Sequence, residues 1–188
     1  MMDERSFQLY LLARMRSKEC VRNALVELDA SEEEMHRAYQ AADQLGFEAT
    51  HAATLYTDAL GTPTSSAADL SIDSSSPFAG SLLLRFSLSA WPGLDFALRA
   101  HPTGYAWGRC FLRSLEVATP LLTAVGDLIP WRFVESEVAK AFGPSKSEDA
   151  WAGWEDRSYS IPGSIGGPAQ RYLLRFDMGL LQTVELHD

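Results

Sequence analysis

Hydrophobic positions near the start of the chain recur with the spacing of an α-helix. Within residues 17–29, Val21, Leu25 and Leu28 lie on one helical face. The preceding stretch, SFQLYLLARM (6–15), fits either the first turns of the same helix or a short strand. Ala13 and the neighbouring arginines favour the helix.

The next segment carries the signals of a helical hairpin. Ser31 and Glu34 have the spacing of a capping box, in which each side chain binds the backbone N–H of the other residue. We expect this helix to end at residue 44 or 45, where Gly46 can adopt the left-handed conformation. A second helix is predicted over 48–60.

Residues 61–80 (GTPTSSAADLSIDSSSPFAG) change character, because serine becomes frequent and large apolar residues become rare. Such a composition is typical of a flexible linker or mobile loop. A loop that becomes ordered when a partner binds is the functional alternative.

From residue 81 the hydrophobic period changes to two, which indicates strands. SLLLRFSLS (81–89) places Leu82, Leu84, Phe86 and Leu88 on one face. Short turns separate it from DFALRA and YAWGRCFLR, so we predict three consecutive antiparallel strands.

A helix and further strands complete the pattern. Thr119 and Pro120 have the N-cap and first-position signals of a helix, which Pro130 should kink and which should end near residue 142. Strands follow in RSYSI, QRYLLRFD and LLQTVELHD, the last two joined by a turn at Met178 and Gly179.

The fold class predicted from these elements is α+β. N-terminal helices precede a mainly antiparallel sheet of about five to six strands, interrupted by one kinked helix. The predicted organisation is a helical region at 1–60, a linker or loop at 61–80 and a sheet with its helix at 81–188. We expect the first and last of these to form one compact domain.

The charge of the chain says more about its function than its amino-acid composition does. The 188 residues carry a net charge of −9, and both ends are acidic while the middle is nearly neutral. Such a field repels phosphate backbones and attracts basic proteins. The start of the chain lacks the order of a secretion signal, and no apolar run suits a membrane span, so we expect a cytoplasmic protein.

The hairpin invites two functional interpretations. Glu-x-x-His occurs at Glu33 and His36 and at Glu48 and His51, as in di-iron bundles, but the two motifs would lie out of register. The hairpin also has the outline of a helix-turn-helix, yet its second helix lacks Lys and Arg. Neither a metal site nor nucleic-acid binding is therefore expected.

Catalytic motifs are weak. The chain has no Gly-x-Ser-x-Gly elbow, and its four histidines are scattered. The glycine-rich stretch 163–172 lacks the Gly-Lys-Ser/Thr ending of a phosphate loop. Cys20 and Cys110 lack metal-ligand spacing and are expected to be small buried side chains. A non-enzymatic protein is the favoured interpretation.

The segment SEDAWAGWED (147–156) has an unusual composition, because two tryptophans lie among four carboxylates. Tryptophan is enriched at binding hot spots, and carboxylates pair with Arg or Lys of a partner. The alternative is that the tryptophans pack inward and the acids face solvent.

We therefore expect an acidic module that binds a basic partner protein, such as a toxin-neutralising immunity protein or inhibitor, or a chaperone. This hypothesis expects no cofactor, metal, nucleic acid or membrane. Two alternatives stay open: a helix-turn-helix regulator, and an enzyme or small-ligand-binding protein with a pocket between sheet and helices. The expected pocket residues are His101, Tyr105, Trp107 and Arg109. The expected partner contacts are Glu32, Glu33, Glu48 and Asp58 in the hairpin, and Glu148, Asp149, Trp151, Trp154, Glu155 and Asp156 in the later segment.

Overall fold

The computed structural model describes residues 2–47, 52–69, 71–72, 75–151, 154–162 and 168–187. These residues form five α-helices, one 3₁₀ turn and two antiparallel sheets of four strands each. The predicted α+β class is confirmed. The single sheet of five or six strands is wrong, because the strands before and after the last helix form separate sheets.

The contacts divide the chain into two compact units. The first unit comprises Met1–Arg14 and Val21–Cys110, and the second comprises Met15–Cys20 and Phe111–Asp188. Whether 1–60, 61–80 and 81–188 behave as separate regions stays a prediction. None of the helices in the described residues is long and apolar enough to cross a membrane.

Four helices begin the fold. Their bounds are α1 Glu4–Leu12, α2 Lys18–Glu27, α3 Glu32–Gln44 and α4 Ala53–Leu60.

The caps of these helices follow from local sequence. Asp3 accepts a hydrogen bond from Ser6 N at 2.8 Å, which starts α1 as a helix rather than a strand. The capping box of Ser31 and Glu34 is confirmed at the start of α3. Gly46 follows α3 with a φ of 80°, as predicted.

The sheet of the first unit has the strand order β1-β2-β3-β4. The three predicted consecutive strands are present as β2 Leu82–Ser87, β3 Leu94–Ala100 and β4 Ala106–Arg113. The serine-rich segment, predicted to be irregular, contributes the edge strand β1 Ser65–Ala68, which pairs with β2.

Aromatic side chains form the centre of the first unit. Phe7 of α1 lies 5.3 Å from Phe96 of β3, 5.6 Å from Phe47 and 5.9 Å from Tyr56 between ring centroids. Phe7 and Phe96 are completely buried. Phe96 of β3 therefore packs against α1.

The second unit contains a 3₁₀ turn at Val125–Asp127, the helix α5 Glu135–Phe142 and a four-stranded meander. The strands are β5 Lys146–Trp151, β6 Trp154–Ile161, β7 Gln170–Asp177 and β8 Leu180–Leu186, in that order.

The predicted kinked helix over 119–142 is wrong in its first half. Asp127 accepts hydrogen bonds from the backbone N–H groups of Thr123 and Ala124, both at 2.9 Å, and such side-chain bonds compete with a helix. Trp131 then has a φ of 62°, and its N–H donates to Leu181 O of β8 at 2.8 Å. Residues 131–134 therefore run beside a strand, and the helix begins only at residue 135.

The turn predicted at Met178 and Gly179 is confirmed. Both residues have positive φ angles, 47° and 72°, as in the type I′ turns that join antiparallel strands. One face of the meander packs together with α5. The core between them is completely or almost completely buried and consists of Phe133, Val138, Tyr159, Ile161, Leu174, Phe176 and Leu181.

Candidate functional site

The partner-binding residues predicted in the first unit are partly accessible. Glu32 and Glu33 occupy the first turn of α3 and are exposed, and Asp58 is exposed on α4. Glu48 lies outside the described residues. A carboxylate in the first turn of a helix is favoured by the helix dipole, so the charges of Glu32 and Glu33 stabilise α3.

The turn between α2 and α3 adds two acids that the sequence prediction omitted. Glu27 ends α2, and Asp29 follows with a φ of 48°. Arg5 holds this turn, because its guanidinium donates to Asp29 O at 2.8 Å and to Leu28 O at 3.3 Å. We call Glu27, Asp29, Glu32 and Glu33 the acidic corner.

The carboxylates of the acidic corner are exposed, and none makes an ion pair within the described part of the chain. Their neighbour Glu34 differs. It accepts from Ser31 N at 2.8 Å and pairs with Arg5 at 3.4 Å, and the hydrogen bonds from Ser31 lower the pKa of Glu34. The corner therefore presents four uncompensated carboxylates where α2 ends and α3 begins.

Most carboxylates predicted in the later segment are paired within the second unit. The segment forms most of the β5–β6 hairpin, with Trp151 and Trp154 opposite each other in register. Asp156 pairs with Arg16 at 2.7 Å and with Arg175 at 3.3 Å. The side chains of both tryptophans lie outside the described residues, so their predicted role stays a prediction.

Glu155 and Glu148 are also engaged. Glu155 lies 2.5 Å from Arg157, which also pairs with Glu135 of α5 at 2.5 Å. Burial, followed by the nearby charge of Glu155, raises the pKa of Glu135, and Arg157 opposes this rise. A basic partner would have to compete with these internal arginines for the same oxygens.

The side chain of Glu148 is the most strongly bound carboxylate of the hairpin. It accepts from Ser158 Oγ at 2.6 Å, from Lys146 at 3.3 Å and from Arg171. The hydrogen bond from Ser158, with those from Lys146 and Arg171, lowers the pKa of Glu148 to about 2. Asp149 is exposed and makes no ion pair with the described residues.

The residues expected to wall a pocket between sheet and helices serve separate contacts. Arg109 donates to the hydroxyls of Tyr10 and Tyr56, at 3.3 and 3.2 Å. Trp107 instead stacks on Phe78, with 4.7 Å between ring centroids.

The other two expected pocket residues lie in the turn between β3 and β4. Tyr105 is exposed, and His101 contacts Thr103. None of these four side chains lines the groove that α1 and α3 form.

The first unit has a groove in a place that the sequence prediction missed. It lies between α1 and α3, has a volume of about 560 Å³ and is open to solvent. Glu34, Ala38, Ala41 and Leu45 supply one side of it at helical spacing. That spacing marks a helix face, but the sequence does not reveal that α1 packs there or that the alanines leave space.

In the described residues, the two helices of the predicted hairpin lie further apart in sequence than those of a helix-turn-helix. α3 ends at Gln44, and Ala52 bridges to Tyr105, so α4 cannot begin before Ala53. That separation exceeds the three or four residues of the motif. Within the part of the chain that the structure describes, no three His, Cys, Asp or Glu side chains are placed to hold a metal ion. Glu48 and His51 are outside that part.

The two thiols are partly buried and form no disulfide. Burial raises the pKa of both Cys20 and Cys110, so both are protonated at neutral pH. Arg99 lies 3.8 Å from Cys110 Sγ and opposes this rise. A protonated thiol is a poor nucleophile.

No family model matches the chain, and neither a curated protein nor a solved structure matches it.

Proposed function

We propose that the protein is an acidic binding module whose acidic corner engages a basic partner protein, as an immunity protein or a chaperone does. The observation that carries this proposal is the exposure of Glu27, Asp29, Glu32 and Glu33 without internal ion pairs in the described structure. Carboxylates already bound to arginines gain little from a partner, whereas uncompensated ones gain charge-assisted hydrogen bonds.

The charge of the first unit supports the same surface. This unit carries 13 acidic and 7 basic residues, against 12 and 9 in the second. A concentrated field of one sign accelerates association with an oppositely charged protein and makes the rate sensitive to salt.

An exposed apolar residue is adjacent to the corner in sequence. Val26, next to Glu27 on α2, is 76% exposed. Covering such a side chain on binding removes apolar surface from water, which favours association in addition to the charges. The proposal therefore combines salt-dependent attraction with one apolar contact.

The test is an affinity capture from the native host with the tagged protein at low and at high salt. We expect one basic protein to be retained near one-to-one and to be released by salt. The corner variant carries Glu27→Gln, Glu32→Gln and Glu33→Gln. The control variant removes the same number of exposed carboxylates without an ion pair in the described structure, through Glu19→Gln, Asp43→Asn and Glu116→Gln.

With the purified partner, the corner variant should reduce the association rate constant by about tenfold at low salt, and the control should reduce it far less. Equal effects of the two variants would show that only net charge matters and would refute the assignment to the corner. Capture of no specific protein at low salt would refute the proposed function. Trp151→Ala tests separately whether the β5–β6 hairpin contributes.

A further inference from the structure

We propose that the groove between α1 and α3 binds a small amphipathic molecule with an apolar tail and one anionic head. This site is distinct in chemistry from the acidic corner, because the ligand would be an anion and not a basic protein. The proposal does not depend on the proposed function.

The floor of the groove suits an apolar tail. Met2 and Leu9 come from the α1 side, and Ala38, Ala41 and Leu45 come from α3. Leu45 is a large apolar side chain that is 40% exposed. A tail in the groove would cover this surface, which supplies favourable binding free energy in proportion to the area removed from water.

The dimensions of the groove also suit a small molecule. Its volume of about 560 Å³ lies within the range of about 300–1,000 Å³ that is usual for ligand sites. Along α3 and its C-cap the lining extends from Glu34 to Leu45, and the separation of eight positions from Arg37 to Leu45 corresponds to about 12 Å of helix. A medium-length alkyl chain can lie along this distance.

The charged side chains at the rim of the groove determine which charge the head group of the ligand should carry. Arg5 and Glu34 both line the groove, but they pair with each other at 3.4 Å and so compensate each other. Arg37 also lines it, is exposed and makes no ion pair among the described residues. The remaining charge of the groove is therefore positive, and a carboxylate near Arg37 would gain charge-assisted hydrogen bonds.

Glu33 opposes the binding of an anion at Arg37, because its negative charge lies one helical turn before Arg37 on α3. Spacing of this kind places two side chains within reach of each other. Removing the charge of Glu33 should therefore tighten binding of an anion while weakening binding of a basic partner. The same substitution thus acts in opposite directions on the two proposals.

The test uses three probes with the same alkyl chain, namely decanoate, decanol and decyltrimethylammonium, each below its micelle concentration. Isothermal titration calorimetry with the full chain should show the tightest binding for decanoate. Arg37→Gln should weaken decanoate by about tenfold and leave decanol nearly unchanged, since only the charge-assisted contact is lost. Arg22→Gln, on the exposed side of α2, is the matched control and should change neither.

Ala41→Trp fills the groove from a position that is exposed and can accept a larger side chain. It should abolish binding of all three probes while the circular dichroism spectrum stays native. The proposal is overturned if no probe binds, if decyltrimethylammonium binds as tightly as decanoate, or if Arg37→Gln and Arg22→Gln have the same effect. Undiminished binding to a folded Ala41→Trp variant would likewise overturn it.

Discussion

Gln182 on β8 is a buried amide that ties three segments of the second unit together. Its Oε1 accepts hydrogen bonds from Arg16 N and Trp131 Nε1, both at 3.1 Å, and a longer one from Ser17 N at 3.4 Å. Its Nε2 donates to Leu180 O at 3.1 Å. The side chain is completely buried.

Gln182→Leu keeps a side chain of similar size and removes the acceptor. A buried donor without an acceptor costs about 1–3 kcal/mol. Ser17 is buried, while Arg16 and Trp131 are half-buried and can regain part of this free energy from water. We therefore expect the free energy of unfolding of the second unit to fall by about 2–4 kcal/mol.

Urea denaturation followed by far-ultraviolet circular dichroism measures this loss, and amide hydrogen exchange locates it. The amide of Ser17 should exchange faster in the variant than in the parent protein. Gln40→Leu, on the exposed face of α3, is the control and should change stability by no more than about 0.5 kcal/mol. A Gln182→Leu protein with parental stability and parental exchange at Ser17 would refute the reasoning.

Three further predictions concern a cap, the core and pH. Ser31→Ala should lower the free energy of unfolding by about 1 kcal/mol in urea denaturation because the capping box is lost, whereas Ser66→Ala, exposed on β1, should not. Phe96→Ala should cost about 3–5 kcal/mol in the same assay, because the ring is completely buried, packs against Phe7 and Tyr56, and leaves a cavity when it is removed. Glu148 has a pKa of about 2 in the folded protein, below its ordinary value of 4.5, so its contribution to stability is present above about pH 4.5 and is lost as pH falls toward 2. Glu148→Gln should flatten this part of the stability profile, and an unchanged profile, or an equal effect of Asp149→Asn, would contradict the assignment.

Local sequence was sufficient where the stabilising groups are neighbours along the chain. The capping box at Ser31 and Glu34, the glycine end of α3 and the turn at Met178 and Gly179 all involve residues within a few positions of each other. The strand period of β2 and β3 was equally local, but burial was not, because nearly all of β3 is buried and Leu82, on the predicted apolar face of β2, is 40% exposed.

The sequence predictions failed where hydrogen bonds to a distant segment determine the backbone conformation. Residues 131–134 follow a proline and precede a helix, so their pattern resembles a helix, but bonding to β8 holds Trp131 in a left-handed conformation. β1 has no hydrophobic alternation of its own, and its strand structure comes from pairing with β2. In both cases the tertiary partner supplied hydrogen bonds that local propensity does not record.

The candidate site shows the same division. Sequence alone determined that the protein is acidic, that the first turn of α3 carries exposed glutamates and that its class is α+β. Only the tertiary structure decided which carboxylates are available to a partner. Asp156 pairs with Arg16, which is 140 positions away, whereas Glu32 and Glu33 make no ion pair in the described structure. The physical reason is that the residue type alone gives a carboxylate its charge. Whether an arginine neutralises that charge depends on which arginines folding brings within about 4 Å of it.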